Sequence, residues 1–285
     1  MCEDTPEDLV YDLLAEAYFG DHALSRPILG TAEQIASVTR EALIEYREKH
    51  YRPDNTVLAI AGKFDLEQFK MMAEEMLGGW SAPKVETQPL DDGPCKALVK
   101  TKKKDIEQVH MCLAYPGVAQ DDENLYALSV MNNLFGGGMS SRLFQVIREE
   151  MGAVYSVYSY PSTYQNCGTL TIYAGTSPES AQAVVDELYV EIRKLMEGGI
   201  TDEEFAMAKE QLKVSYVLGL ESSSSRMSSI GRNKLLRGRA VDPDDVVKKI
   251  EAVTKEDVER VIRRTFEGQC AAAAVGRNVD KLKLV

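Results

Sequence analysis

The chain has 285 residues, 44% hydrophobic and 27% charged, with a formal net charge of −12. That composition excludes a disordered chain. The acidic surplus argues against nucleic acid as a partner, since neutralising phosphates takes clustered Lys and Arg, and the one basic cluster, Lys100 to Lys104 with Thr101 inside it, reads as a solvated strand end or hairpin.

Thr5-Pro6-Glu7-Asp8 is a helix start, with Thr at the cap, Pro at the first helical position and acids in the first turn. Leu9, Val10, Leu13, Leu14, Ala17 and Tyr18 continue at helical spacing. A loop runs from Gly20 to Gly30, and Thr39 caps a helix through about His50. Pro53-Asp54-Asn55 turns the chain into a predicted strand, Thr56 to Gly62, and Asp65 caps a helix that stops before Gly78-Gly79. Residues 81–95 are rich in Pro and turn residues without an apolar period, and read as a linker.

Predicted strands follow at Ala97–Lys100 and Gln108–Tyr115. Asp121-Asp122 opens a helix carrying Leu125, Leu128, Val130, Met131 and Leu134, which Gly136-Gly137-Gly138 breaks. Ser140-Ser141 caps a short helix to about Glu150, and strands follow at Val154–Tyr160 and Gly168–Ala174. Helices are predicted over Pro178–Met196, Thr201–Leu220, Ser222–Leu236, Asp242–Ile250 and from Thr254, before a last strand at Ala271. The pattern implies an α+β fold, α/β-roll-like, with strands under a helical layer.

One piece of the chain recurs. Ile35-Ala-Ser-Val-Thr-Arg-Glu41 and Ile250-Glu-Ala-Val-Thr-Lys-Glu256 lie 215 residues apart, each followed by a helical stretch and a small apolar run ending in Gly, at Thr56–Gly62 and Cys270–Gly276. A match over several features at one offset indicates a duplicated domain. The second copy starts near Lys96, 154 residues before Ile250, whereas Ile35 has 34 residues before it; the first copy is therefore expected to lack about 120 residues at its N-terminus. This divides the chain into 1–80, the C-terminal part of a first half; 81–95, a linker; and 96–285, a complete second half.

Candidate chemistry is sparse. His22, His50 and His110 stand apart, and neither H-x-x-E-H nor H-E-x-x-H occurs, so no metal ligands and no catalytic residues are assigned to this chain. Glu3 and Asp4 read as acids favouring a helix N-terminus. Gly136-Gly137-Gly138 follows a helix and precedes Met139-Ser-Ser-Arg142, which fits neither a P-loop nor a dinucleotide fingerprint. Ser222 to Ser225 lacks a nucleophile-elbow pattern and reads as a cap. Arg148 and Tyr155 flank a turn at Gly152. A guanidinium and a phenol there suit a peptide carbonyl, but spacing alone favours the plainer account, pairing of Arg148 with a nearby acid such as Glu149 and packing of Tyr155. No apolar run reaches the roughly 20 residues of a membrane span, and five dispersed cysteines without C-x-x-C fit reduced thiols in a cytoplasm.

The chain resembles the pitrilysin/insulinase-type zinc metallopeptidases, in the bacterial, mitochondrial-processing-peptidase-like branch. The likeness rests on Glu3-Asp-Thr-Pro-Glu-Asp-Leu-Val-Tyr-Asp12, Arg26-Pro-Ile-Leu-Gly-Thr31, His50-Tyr-Arg-Pro-Asp-Asn55, Gly137-Gly-Met-Ser-Ser-Arg-Leu-Phe144 and Arg148-Glu-Glu-Met-Gly-Ala-Val-Tyr-Ser-Val157. The resemblance implies two homologous halves closing like a clamshell around a chamber, the first half cut short here. It implies a zinc site in H-x-x-E-H and a later Glu, all upstream of the stretch that begins here at Glu3, so zinc belongs to the intact family and none is expected on this chain. It implies substrate contacts at Arg148 and Tyr155, seven residues apart, and a chamber loop at Gly136, Gly137 and Gly138. The expected substrates are unfolded or extended peptides, and the expected partners a zinc-bearing chain or a second copy. Two roles follow: the C-terminal portion of a zinc metalloendopeptidase, inactive alone, or a non-catalytic subunit that pairs with a zinc-bearing chain.

Overall fold

A computed structural model describes residues 5–83 and 91–285. The expectations for Glu3, Asp4 and the middle of the 81–95 linker fall outside them. The chain divides into two compact units, one formed by Met1–Ile28, Leu90–Leu212 and Lys249–Val285, the other by Leu29–Pro89 and Lys213–Lys248.

The first unit is built on a mixed five-stranded sheet, ordered β1-β5-β2-β4-β3. The strands are β1 (Val99–Lys103), β2 (Val109–Pro116), β3 (Val154–Thr163), β4 (Gly168–Thr176) and β5 (Ala271–Gly276). β1 pairs parallel to β5, and the other neighbours are antiparallel. β2, β4 and β5 are buried on both faces; β2 and β5 accordingly read as largely apolar runs, while β4 buries Thr169, Thr171 and Thr176 among its apolar residues.

One face, with Met111, Leu113, Leu170, Ile172, Ala272 and Ala274, packs under α5 (Leu125–Phe135), α6 (Ala181–Gly198) and α10 (Lys255–Phe266). The other face is made of small side chains, Cys112, Ala114, Ala271 and Ala273, with Tyr173 and Val275. Against it lies α1 (Pro6–Phe19), through Leu9, Val10, Leu14, Ala17, Tyr18 and Phe19. Small residues let a helix sit close to the sheet. The Lys96 and Leu98 amides donate to the Tyr18 and Ala17 carbonyls, using acceptors that the end of α1 leaves open.

The second unit holds α2 (Ala32–Ser37), α3 (Arg40–His50), α4 (Leu66–Leu77) and α8 (Ser223–Arg237). None of these four helices contains a buried residue. Arg52 is buried and closes the end of α3, donating from Nη1 to the Lys49 carbonyl at 3.0 Å while Nε and Nη2 grip Asp54 at 2.8 and 2.9 Å. α7 (Asp202–Gly219) and α9 (Pro243–Ala252) each run from one unit into the other.

The two similar stretches share local backbone geometry. Thr39 and Thr254 adopt φ/ψ of −96/164° and −98/165°, and each hydroxyl accepts the amide three residues on at 3.2 Å. Gly62 and Gly276 have φ of 140° and 148°. In the first unit α1 covers β5; in the second α8 passes over Ala59, where a Cβ on Gly231 would come within 3.2 Å of the Ala59 Cβ.

One local expectation changes. Thr56–Gly62 forms no helix and joins no ladder among the described residues. A strand needs partners for its backbone groups, and the five described strands all lie in the other unit.

Candidate peptide-contact site

The site is built where β3 begins. The helix before it, Phe144–Glu150, is wound as a π-helix, with the Met151 amide donating to the Val146 carbonyl five residues back. Such windings recur at functional positions. Gly152, at φ 58°, makes the turn into the strand, a conformation that L side chains resist. Val154 then pairs with Thr176 and Ser156 with Gly175, so Tyr155 is the extra residue of a β-bulge. The bulge leaves Tyr155 60% exposed, next to buried Val154.

Two side chains hold this corner. Arg148 donates from Nη1 to the Val154 carbonyl at 2.9 Å, and the Thr176 hydroxyl donates to the Ala153 carbonyl. A guanidinium has five donors, so the bond to Val154 uses one of them. Arg148 bonds to backbone rather than to Glu149, and Tyr155 is not packed away.

Gly136 ends α5 and lies against β3. The Ser159 amide donates to its carbonyl at 2.9 Å, and a Cβ at Gly136 would come within 2.7 Å of the Ser159 nitrogen. The Ser159 hydroxyl donates to Asn132 Oδ1 at 2.8 Å. Gly137 and Gly138 are exposed, and a Cβ at Gly138 would meet nothing. The run thus joins α5 to the strand that carries Tyr155.

Sequence reasoning missed the clamps beside this loop. Arg142 grips Glu204 at 2.7 and 2.9 Å and donates to the Gly199 carbonyl at 2.9 Å. The Arg142 guanidinium, together with the Thr201 amide and hydroxyl, lowers the Glu204 carboxyl to about 2 against the cost of burial. Asn133 donates to the Ala208 carbonyl at 2.8 Å, and Gln211 donates to the Ser140 hydroxyl at 3.0 Å. The recess lined by these residues holds about 20 Å³, which is room for one water at most. It is a packed seam rather than a ligand pocket. Thr201-x-x-Glu204, a capping box, was the available signal.

Nothing in the described residues fits a metal. They contain no group of three or more His, Cys, Asp or Glu placed to hold an ion. His22 Nδ1 accepts the Leu24 amide, His50 lies against the Tyr46 ring, and His110 Nδ1 bonds the Tyr173 hydroxyl at 2.8 Å. Burial lowers the His110 pKa, with Glu7 opposing. The described Cys95, Cys112, Cys167 and Cys270 are free thiols. No helix among the described residues is long and apolar enough to cross a membrane.

The profile of the Peptidase M16 inactive domain matches residues 37–212, more than half of the chain. The chain belongs to the M16 peptidase family. It is 40% identical over 275 residues to the uncharacterized zinc protease YmxG of Bacillus subtilis, covering 96% of this chain and 67% of that protein. It is 37% identical to an uncharacterized zinc protease of Streptomyces coelicolor, covering 99% and 63%. The chain therefore spans about two thirds of the length of these M16 relatives. In fold it is similar to a protease from Helicobacter pylori, at TM-score 0.86 and 18% identity over 96% of this chain and 68% of that one. It is similar too to a peptidase M16 inactive domain from Pseudomonas fluorescens, at TM-score 0.83 and 19% identity over 97% and 66%. The mixed α/β fold and the pitrilysin/insulinase-type resemblance read from the sequence both hold.

Proposed function

We propose that this chain is the C-terminal, peptide-contacting portion of a zinc metalloendopeptidase that cleaves unfolded or extended peptides in a closed chamber. The observation that carries the reading is the bulge at Tyr155. It presents a phenol to solvent on a rigid strand, and Arg148 fixes its neighbouring carbonyl. Rigid elements with their own hydrogen-bond support are what a binding group needs. In this reading Tyr155 and the remaining donors of Arg148 hold a peptide carbonyl, and the Gly136–Gly138 run shapes the chamber wall.

The metal chemistry lies elsewhere. The sequence contains no H-x-x-E-H, the described residues offer no metal site, and no hydrolytic step is assigned to them. Residues 1–80 then represent part of a first half, 81–95 a linker and 96–285 the second half. The acidic chain favours basic peptides, and the free thiols suit a cytoplasmic setting.

A second reading is a non-catalytic subunit pairing with a separate zinc-bearing chain. The match to an inactive domain favours it. The reading frame separates the two. Continuation upstream of Met1 into H-x-x-E-H supports the first; a neighbouring gene encoding that motif supports the second. Both are tested by titrating the chain with a labelled, unstructured basic peptide: Arg148→Ala and Tyr155→Phe lower the affinity, and unchanged affinity in both removes the contact role.

A further inference from the structure

We propose that Thr176 is the positioning residue for Tyr155: its hydroxyl, bonded to the Ala153 carbonyl, holds β3 in the bulged register that turns the phenol out of the core. Taking the phenol as a peptide contact rests on the reading above; the register lock rests on the strand pairing.

The bulge decides which side chain is buried. From Val157 to Thr163, β3 keeps one register with β4, pairing Val157 with Ala174 and Thr163 with Gly168. Continued without a bulge, that register sets Tyr155 opposite Thr176. Residues opposite one another in a sheet share a face. On its other side Thr176 pairs with Val109 of β2, which is core under α5, α6 and α10. In the regular register Tyr155 would therefore point into that core, and Val154 away from it. The observed pairs are instead Val154 with Thr176 and Ser156 with Gly175. Val154 and Val157 both lie in the core, although strand residues at odd spacing ordinarily face opposite ways. Tyr155 is left exposed.

Burial by itself does not favour this choice. A tyrosine ring removes more apolar area from water than a valine side chain, so local bonds must select the bulge. The Met151 amide donates to the Val146 carbonyl, the Ala153 amide to the Ile147 carbonyl at 3.2 Å, and Arg148 to the Val154 carbonyl. These bonds tie the corner to the helix before it and would travel with it in a slip along β4. The Thr176 hydroxyl comes from β4 itself, so its bond to Ala153 fixes where along β4 the corner sits. Thr176 is fully buried. A slip moves the Ala153 carbonyl one residue along and leaves a buried hydroxyl to find another partner, which is costly. The branched Cβ of Thr176 also restricts its χ1 and aims the donor.

Valine keeps the shape of threonine without the donor, and serine keeps the donor without the methyl. The test places 3-fluorotyrosine at position 155 of the whole chain. Its fluorine signal is read for solvent exposure, beside the affinity for a labelled, unstructured basic peptide. The unsubstituted chain is expected to give an exposed fluorine. Thr176→Val is expected to move it to a buried environment and to lower the affinity at least ~10-fold. Thr176→Ser is expected to keep both. Packing alone predicts the reverse order, because serine leaves a void that valine fills. A buried fluorine in the unsubstituted chain, an unmoved signal in Thr176→Val, or a Thr176→Ser chain that behaves like Thr176→Val overturns the proposal. Cross-strand proton contacts in the Thr176→Ser chain do not depend on Thr176→Val folding. They are expected between residues 154 and 176, and contacts between 155 and 176 overturn the proposal as well. In Thr176→Val, a moved signal with unchanged affinity keeps the register lock and removes the peptide-contact reading; lowered affinity with an unmoved signal does the reverse.

Discussion

Arg148 donates to the carbonyl of Val154, one residue before Tyr155. The bond ties the π-helix to the bulge that presents the phenol, so Arg148 carries a supporting bond that Tyr155 does not. Their substitutions should therefore separate. Arg148→Ala removes a charged hydrogen bond at a half-buried corner and is expected to destabilise the chain by ~1–3 kcal/mol as well as weaken peptide binding. Tyr155→Phe removes only an exposed hydroxyl, so stability stays within ~0.5 kcal/mol while affinity falls. Denaturant melts beside peptide titrations check the pair.

Gly136 and Gly138 sit two residues apart but respond in opposite ways. A methyl at Gly136 would collide with the backbone nitrogen of Ser159, and overpacking of this kind costs ~1–3 kcal/mol. A methyl at Gly138 meets open space. Gly136→Ala is expected to lower the melting temperature and Gly138→Ala to leave it nearly unchanged.

The Arg142–Glu204 clamp gives an acid-side signature. Glu204 has a lower pKa in the folded chain, about 2, than its ordinary value of 4.5. The unfolded state therefore binds the proton more readily, and the clamp's contribution is present above about pH 4.5 and lost as pH falls toward 2. Glu204→Gln flattens that part of the stability–pH curve, measured by urea unfolding between pH 6 and 3.

His110 acts nearer neutrality. Burial lowers its pKa below the usual 6.5, so its protonation is resisted in the folded state. Stability is expected to fall as pH drops through 6.5, where the unfolded chain begins to take up the proton. His110→Gln removes this slope, read by the same unfolding series above pH 5.

Local chemistry was legible in the sequence. The caps expected at Thr39 and Asp65 each accept the amide three residues on, because a cap depends on four neighbouring residues. α2 went unread although Thr31 and Gln34 form its capping box. Long-range features were not legible. The bulge at Tyr155 is set by the register with β4, and the placement of α1 by the small side chains of β2 and β5. Thr56–Gly62 carries a strand's composition, but pairing depends on what lies beside it. Arg148 and Tyr155 came from a family likeness; spacing alone favoured ordinary pairing and packing for them.

The most direct measurement incubates the purified chain with zinc and an unstructured fluorogenic peptide, before and after adding a segment that carries H-x-x-E-H. Cleavage is expected only after the addition, and Tyr155→Phe is expected to reduce it. Hydrolysis by residues 1–285 alone, with zinc bound in stoichiometric amount, would contradict a chain that grips peptides and leaves the cutting to another segment.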